Sequence, residues 1–363
     1  MKESRIKYAV ATIVIILATC TGLSCSSSRP GTGHIIDMIM EPYLLPAAPG
    51  AAILVMKDDS ILVEKSYGMA DLETGRPVTP TTNFRLASVT KEFTAMCIML
   101  LAERGLLSYT DTLGRFFPDF PSYGTSITVR QLLNHTSGLQ DYESLIPDSQ
   151  TVQVLDSDCV ALLKTTDSLL FSAGSKYSYS NTGYAFLAMI VEQVSGRRFA
   201  DFLKENIFDP VGMHTTVAFE DGRSTVAERA FGYSLEHGKW ARTDQSVTSA
   251  VLGDGGIYSN VGDMARWVSA LFHHRLISPE SQTAAWTAGT LNNGAAIDYG
   301  YGWHLETYRD IDHPYHGGST IGFRNSIQLF PQQHLMIIIL TNRDEGDPPH
   351  QQAQRIADLY LQQ

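Results

Sequence analysis

The sequence predicts an α+β domain in which an antiparallel sheet, built from N- and C-terminal segments, is flanked by helices as an α/β/α sandwich with a largely helical inserted lobe. Three observations carry this expectation. Strand-like segments gather between residues 50 and 71 and again after residue 300. Helical patterns dominate from about 106 to 276, and helix-like segments stand before the first strand and after the last. Strands so far apart in the chain share one core when a common sheet joins them, and that sheet needs helices to cover its faces. With 363 residues, 44% of them hydrophobic and 18% charged, the chain has an ordinary globular composition and enough length for a sizeable core.

The first 25 residues read differently. Lys2, Arg5 and Lys7 form a basic start, and Tyr8 to Ser28 carries no charge and opens with AVATIVIILA. That is the profile of a bacterial-type export signal. Cys25 follows small Ser24 and precedes a Ser/Gly/Pro tether over 26–33, so it is the favoured lipidation site, with Cys20 as the alternative. A soluble periplasmic protein cut nearby and an uncleaved anchor are the other readings of this leader. The domain itself is placed at 34–363.

Within the domain, HIIDMIMEPYL has helical spacing at Ile35, Ile36, Ile39 and Met40. PGAAILVMKDDSILVEKSYGMAD reads as two strands joined at Lys57-Asp-Asp-Ser60. LETGRPVTPTTNF is a loop of turn formers. From Val89 the apolar positions 89, 93, 96, 97, 100 and 101 make a helical stripe that Gly105 should stop. SNTGYAFLAMIVEQVSG and NVGDMARWVSALFHH are further helices, YGWHLETY, HGGSTIGFRNSIQLFP and HLMIIILTNRD are strands, and PPHQQAQRIADLYLQQ is a closing helix. No internal repeat is present.

Charge narrows the partners. Removing residues 1–25 takes away three basic residues and one acidic residue, leaving 24 against 37 and a net charge of −13. This balance, with no basic stripe, argues against nucleic acid as a partner. Cys97 and Cys159 make no disulfide framework, although a bond between them is an open reading. No H-E-x-x-H or cysteine cluster appears, and His313 and His316 flank Pro314 in an extended segment, so neither a metal nor any other cofactor is expected.

The chemistry centres on Ser88-Val-Thr-Lys91 at the head of the apolar stripe. Ser88 could simply cap the helix. Lys91, however, would then sit in the first turn, where the helix's positive end disfavours it. Three residues apart, the two side chains share a helix face, and a lysine amine there can take a serine proton. Further on, Tyr179-Ser-Asn181 precedes a helix and His316-Gly-Gly-Ser319 opens a predicted strand.

In this order, S-x-x-K, Y-x-N and [KH]-[TSG]-G resemble the serine β-lactamase and penicillin-binding-protein superfamily. The Tyr-Ser-Asn form resembles its class C β-lactamase, D-alanyl-D-alanine carboxypeptidase and esterase branch. YGMADLETGRPVTPTTNFRLASVTKEFTA, TVRQLLNHTSGL and GDGGIYSNVGDMARW extend the similarity from about Pro49 to Arg343. The resemblance implies a β-lactamase/transpeptidase-like fold and a serine hydrolase that forms an acyl-enzyme on an amide, peptide or ester, cell-wall peptides among them.

The resemblance also implies the roles. Ser88 is the nucleophile, Lys91 hydrogen-bonds and helps deprotonate it, and Tyr179 shuttles the proton to the leaving group and later activates water. Asn181 orients Lys91 or the substrate carbonyl, with a helix-cap role as its alternative. Where the best β-lactam hydrolases have Lys-Thr-Gly, this chain has His316, Gly317 and Gly318. His316 then carries only a conditional positive charge, and Gly317 offers no hydroxyl. Gly318 is expected to let substrate approach the strand, and the Ser319 amide to join that of Ser88 in an oxyanion hole.

Other residues have weaker expectations. His135 is a turn residue with no catalytic role, and His273–His274 end a helix. Asp254 to Gly256 either shape the cleft floor or form an ordinary turn. Tyr142 is either a substrate contact or a surface aromatic, and 142–176 is expected to set substrate choice. Alternatives to the hydrolase reading are a β-lactam hydrolase, a penicillin-binding sensor that acylates without turnover, and a non-enzymatic surface lipoprotein. No G-x-S-x-G occurs, which excludes an α/β-hydrolase elbow.

Overall fold

The computed structural model describes residues 31–345 and 349–361. The leader, with Cys20 and Cys25, lies outside the described residues. Helix α1 (Thr32–Ile39) precedes a hairpin of β1 (Ala51–Lys57) and β2 (Ser60–Tyr67). Asp58 and Asp59, with φ of 49° and 58°, make its two-residue turn left-handed, which suits the twist of the paired strands. Helix α2 (Thr90–Glu103) follows, then α3 (Asn181–Ser195) and α4 (Val261–Phe272) in the middle of the chain. The C-terminal part supplies β3 (His304–Tyr308), β4 (Ile311–Thr320), β5 (Phe323–Phe330), β6 (Leu335–Thr341) and α5 (Pro349–Leu361).

The six strands form one sheet in the order β3-β4-β5-β6-β1-β2, with every pairing antiparallel. The first strand of the chain therefore lies against the last, in the register Ile53 to Ile339 and Val55 to Ile337. Alternation along the strands splits the core in two. Ile53, Val55, Ile337 and Ile339 pack with Ile36 and Ile39 of α1 and with Ala353 and Ile356 of α5. Leu54, Ile338 and Leu340 face the larger cluster with α2, α3 and α4. Burial on both faces explains why LMIIILT is apolar without a period of two.

Beyond β4's Tyr315 no strand among the described residues pairs on its outer side, so Gly317 to Thr320 form an open edge beside the turn that leads into α2. The stretch 106–276 holds α3, α4 and shorter helices, together with strand fragments that the sequence pattern did not signal. Tyr233–Glu236 pairs with Lys239–Arg242, and Ile257–Ser259 joins Phe84–Arg85 to Val217–Ala218. The expected loop of turn formers contains a small pairing of Met69–Asp71 with Arg76–Pro77. Cys97 and Cys159 are both free and buried, so the open disulfide reading is corrected.

Helix α2 is buried around most of its circumference, including Glu92 and Thr94 outside the apolar stripe. Gly105, at φ 68°, ends it as expected. Glu92 accepts a bond from Trp267 Nε1 at 2.8 Å, and its Oε1 has no partner. Burial pushes this carboxyl well above its ordinary range, so the folded chain holds a proton that the unfolded chain loses near pH 4.5. Stability contributed by that proton is full below 4.5 and falls as pH rises toward the folded value, by up to about 1.4 kcal/mol per pH unit. Glu92→Gln keeps the acceptor for Trp267 and should remove this decline. Denaturant titration across pH is expected to show the variant matching the wild type in acid and exceeding it at neutral and alkaline pH.

Candidate active site

A 3₁₀ turn, Ala87–Val89, leads into α2 and presents Ser88. Ala87 takes φ 51°, a left-handed conformation that costs a non-glycine residue energy and that packing must enforce. Ser88 makes no cap hydrogen bond to the helix, whose cap position falls at Val89, so the simple capping alternative does not describe it. Its Oγ instead accepts a bond from Lys91 Nζ at 3.2 Å.

Lys91 is fully buried. Besides Ser88, its amine donates to Asn181 Oδ1 at 2.8 Å and to the Asp254 carbonyl at 3.0 Å. A lysine ammonium has three donors, and here each finds an acceptor, which offsets the cost of burying the charge. Asn181 is the first residue of α3. Its Nδ2 donates to Glu143 Oε1 at 3.1 Å, and its own amide donates to Asp141 Oδ2 at 2.7 Å. Held at both ends, the Asn181 carboxamide directs its oxygen at Lys91, so orientation rather than capping describes it.

The Lys91 amine lies 5.1 Å from the centroid of the Tyr179 ring, close enough for its charge to favour electron density on that ring. Tyr179 is partly exposed and stacks at 4.2 Å on His135. His135 holds φ 57° and accepts from the Ser180 amide through Nδ1. Burial, with Lys91 and His304 nearby, keeps its imidazole neutral, and it props Tyr179 from below.

His316 departs from expectation. Its ring is buried, Nδ1 lies 2.7 Å from the Gly317 carbonyl and Nε2 lies 2.9 Å from Tyr299 Oη. A carbonyl only accepts, so Nδ1 carries the hydrogen and Nε2 accepts from the phenol. Burial, with His304 and Lys91 close by, holds its pKa well below the usual imidazole range. The condition on its charge thus falls on the neutral side: near pH 7 His316 is a neutral, internally bonded group.

Gly317 and Gly318 differ in what they require. A Cβ at Gly318 would lie 2.0 Å from the Leu86 carbonyl, so the glycine admits the chain before Ser88, and its backbone also lines the cleft. At Gly317 a Cβ would meet only the Asn325 carbonyl, at 3.7 Å. Ser319 is exposed on the open edge and lines the same cleft as Ser88.

Asp254 belongs to the cleft floor, in a helical turn over Leu252–Gly255. Burial raises its carboxyl to about 6 against the opposing Lys91 charge. Tyr142 is neither a surface aromatic nor a freely presented contact, being buried with its hydroxyl donating to Asp254 Oδ2 at 2.8 Å. His273 pairs with Asp59, in the β1–β2 turn, at 2.7 Å. Among the described residues no cluster of three or more His, Cys, Asp or Glu is placed to hold a metal ion.

Two cavities meet at Ser88, Asn181 and Ser319. The larger, about 600 Å³, is lined by Tyr177, Tyr179, His304, Tyr315, His316, Gly317, Arg324 and His350. The smaller, about 40 Å³, holds Arg85, Tyr142, Glu143, Asp254 and Thr320. Sequence reasoning missed His304, Tyr315, Arg324, His350 and Glu143. Only the cross-strand pair His304 to Tyr315 left a usable signal, in the two strands that the pattern predicted.

Residues 40–362 match the family model described as Beta-lactamase. The chain is 34% identical to penicillin-binding protein 4* of Bacillus subtilis over 316 residues, 83% of this chain and 69% of that one. It is 31% identical to a D-aminopeptidase of Brucella anthropi over 307 residues, 82% of this chain and 57% of that one, so it spans less than two thirds of this second relative. Among solved structures, the octameric penicillin-binding protein homologue of Pyrococcus abyssi superposes with a TM-score of 0.80 and 26% identity, over 92% of this chain and 77% of that one. The D-amino acid amidase of Ochrobactrum anthropi shares the fold, with a TM-score of 0.78 at 23% identity over 91% and 99% of the two chains.

Proposed function

Because the chain belongs to the Beta-lactamase family, we propose that it is a serine hydrolase that works through an acyl-enzyme on an amide, peptide or ester. The observation that carries this reading is the buried Lys91 amine shared among Ser88 Oγ, Asn181 Oδ1 and the Asp254 carbonyl. With Tyr179 entering as the phenolate beside Lys91, Ser88 Oγ attacks the substrate carbonyl as its proton passes to Lys91, which hands one of its own on to Tyr179. The oxyanion forms between the amides of Ser88 and Ser319, where fixed dipoles stabilise the developing charge. Tyr179 returns the proton to the departing nitrogen or oxygen, the carbonyl–leaving-group bond breaks, and the acyl group stays on Ser88. Water then enters, Tyr179 takes its proton, and hydrolysis frees Ser88.

Within this class, peptidase, amidase or esterase activity ranks ahead of β-lactam hydrolysis. His316 is neutral and engaged with Tyr299, and Gly317 has no hydroxyl to reinforce a bound carboxylate. Space at Gly317 makes this testable, since nothing lies closer than 3.7 Å to an added Cβ. Gly317→Thr should fold and bind a carboxylate-bearing boronate roughly 5- to 10-fold more tightly, the worth of one added hydrogen bond. Equal affinities for both proteins would remove the missing hydroxyl as an explanation. Steady-state assays on D-amino-acid amides, an activated ester and a penicillin test the ranking itself, and fastest turnover of the penicillin would reverse it.

The leader, a basic start followed by an uncharged apolar run, supports export to the bacterial cell envelope, free in the periplasm or held at the membrane by a lipid on Cys25 or Cys20.

A further inference from the structure

Of the two cavities that meet at Ser88, Tyr179 lines the larger and not the smaller. The group that returns the proton must face the departing atom, so the leaving group enters the space of about 600 Å³. Where β3 pairs with β4, aromatic rings wall that space. The Tyr179 ring lies 6.0 Å from that of His304, with the two planes 8° apart. His304 lies 5.1 Å and 20° from its cross-strand partner Tyr315, and Tyr315 lies 4.4 Å from His350. With His135 beneath Tyr179, imidazoles and phenols alternate in one continuous ladder.

The His304, Tyr315 and His350 rings carry no charge near neutral pH. Burial lowers His304 to about 4, holds His350 below its ordinary range and raises the Tyr315 phenol above its own. All three rings are half-buried. Stacked rings cover one another's faces and leave their edges to the space. Those edges carry partial positive charge and attract the face of another aromatic ring. Strand alternation sets Tyr315, Gly317 and Ser319 on one face of β4. Gly317 has no side chain, and nothing lies closer than 3.7 Å to a Cβ built there, so the way from Ser319 to Tyr315 is open. Arg324, in the same lining, is engaged elsewhere. Its Nη1 donates to the Thr320 and Phe323 carbonyls at 2.6 and 2.8 Å, and Asp344 and Tyr43 act on its charge.

We propose that His304 and Tyr315 receive an uncharged aromatic ring on the leaving group, with Tyr315 the specificity-determining residue. The preferred acyl donors are then amides or esters whose amine or alcohol bears such a ring. This rests on the acyl-enzyme reading above. The reacting carbonyl sits between Ser88 and Ser319, the leaving group crosses β4 at Gly317, and its ring meets the edges of the ladder. An aliphatic ring of the same bulk would fill the space equally but has no π-face for those edges to hold.

The test compares the 2-phenylethyl and 2-cyclohexylethyl esters of one N-acylglycine on the full chain. The two alcohols leave with similar ease and match in bulk, so the ratio of kcat/KM values reads the aromatic contact. Wild type should favour the phenyl ester by about 3- to 10-fold, the worth of one aromatic pair. Tyr315→Leu should erase that preference by slowing the phenyl ester alone, Tyr315→Phe should keep it, and His304→Leu should reduce it. A melting curve checks folding, and His304→Leu carries the decision if Tyr315→Leu does not fold. Equal kcat/KM for both esters in wild type would overturn the inference while leaving the hydrolase intact. So would a preference undiminished in Tyr315→Leu, or equal losses on both esters there, which would reduce Tyr315 to packing. Turnover of an activated short-chain ester with neither ring ester accepted would overturn it too. Failure of every ester to acylate Ser88 would overturn the hydrolase reading and this inference with it.

Discussion

Ser88→Ala should abolish the covalent adduct and lower ester hydrolysis by a factor on the order of 10⁴ or more. The size of this effect follows from the position of the side chain. Ser88 Oγ is the only hydroxyl bonded to the Lys91 amine among the described residues. Removing it takes away the atom that forms the intermediate, whereas the amides of Ser88 and Ser319 remain and supply the residual rate. Folding should be little changed, because Ser88 is half-buried and caps nothing. Single-turnover acylation with an activated ester, alongside a melting curve, separates the two effects. A variant that hydrolysed at the wild-type rate would place the chemistry elsewhere.

Lys91→Ala should slow acylation by roughly 10²- to 10⁴-fold, the range for removing a positioned proton-transfer group. Its amine ties Ser88 to Asn181 and to the cleft floor at Asp254, and its charge sits beside Tyr179. The change also strands two buried acceptors, Asn181 Oδ1 and the Asp254 carbonyl. Lys91→Arg should not rescue the rate. A guanidinium is effectively always charged, is larger than the ammonium, and cannot present three donors from one nitrogen. Recovery of near wild-type acylation in Lys91→Arg would reduce the lysine to a fixed positive charge.

Much of this site was legible in the sequence, because its parts sit at the starts of regular elements. Ser88 and Lys91 open α2, Asn181 opens α3, and His316 to Ser319 lie on β4, all of which periodicity located. The sheet was legible too, since β1 and β6 are both apolar on two faces and so must be central. What stayed hidden depends on contacts between distant segments. Tyr142 and Asp254, 112 residues apart, meet as a buried hydrogen bond that no local pattern encodes. The neutrality of His316 depends on burial and on His304 and Lys91 close by, and burial of an imidazole cannot be read from its neighbours in sequence. Gly318 looked like a glycine kept for substrate, and only the fold reveals the Leu86 carbonyl 2.0 Å from where a Cβ would stand. Arg324 was overlooked for a related reason. Its place beside Ser319 comes from the pairing of β4 with β5, not from spacing along the chain.

The measurement that tests the central claim most directly is intact-mass spectrometry of the protein mixed with an activated short-chain ester and, separately, with a fluorescent penicillin. An ester adduct that maps to Ser88, appears within the first turnover and decays as product accumulates is the predicted result, with any penicillin adduct persisting longer. A folded protein that hydrolyses the ester with no mass change, or with the added mass on another residue, would contradict the account.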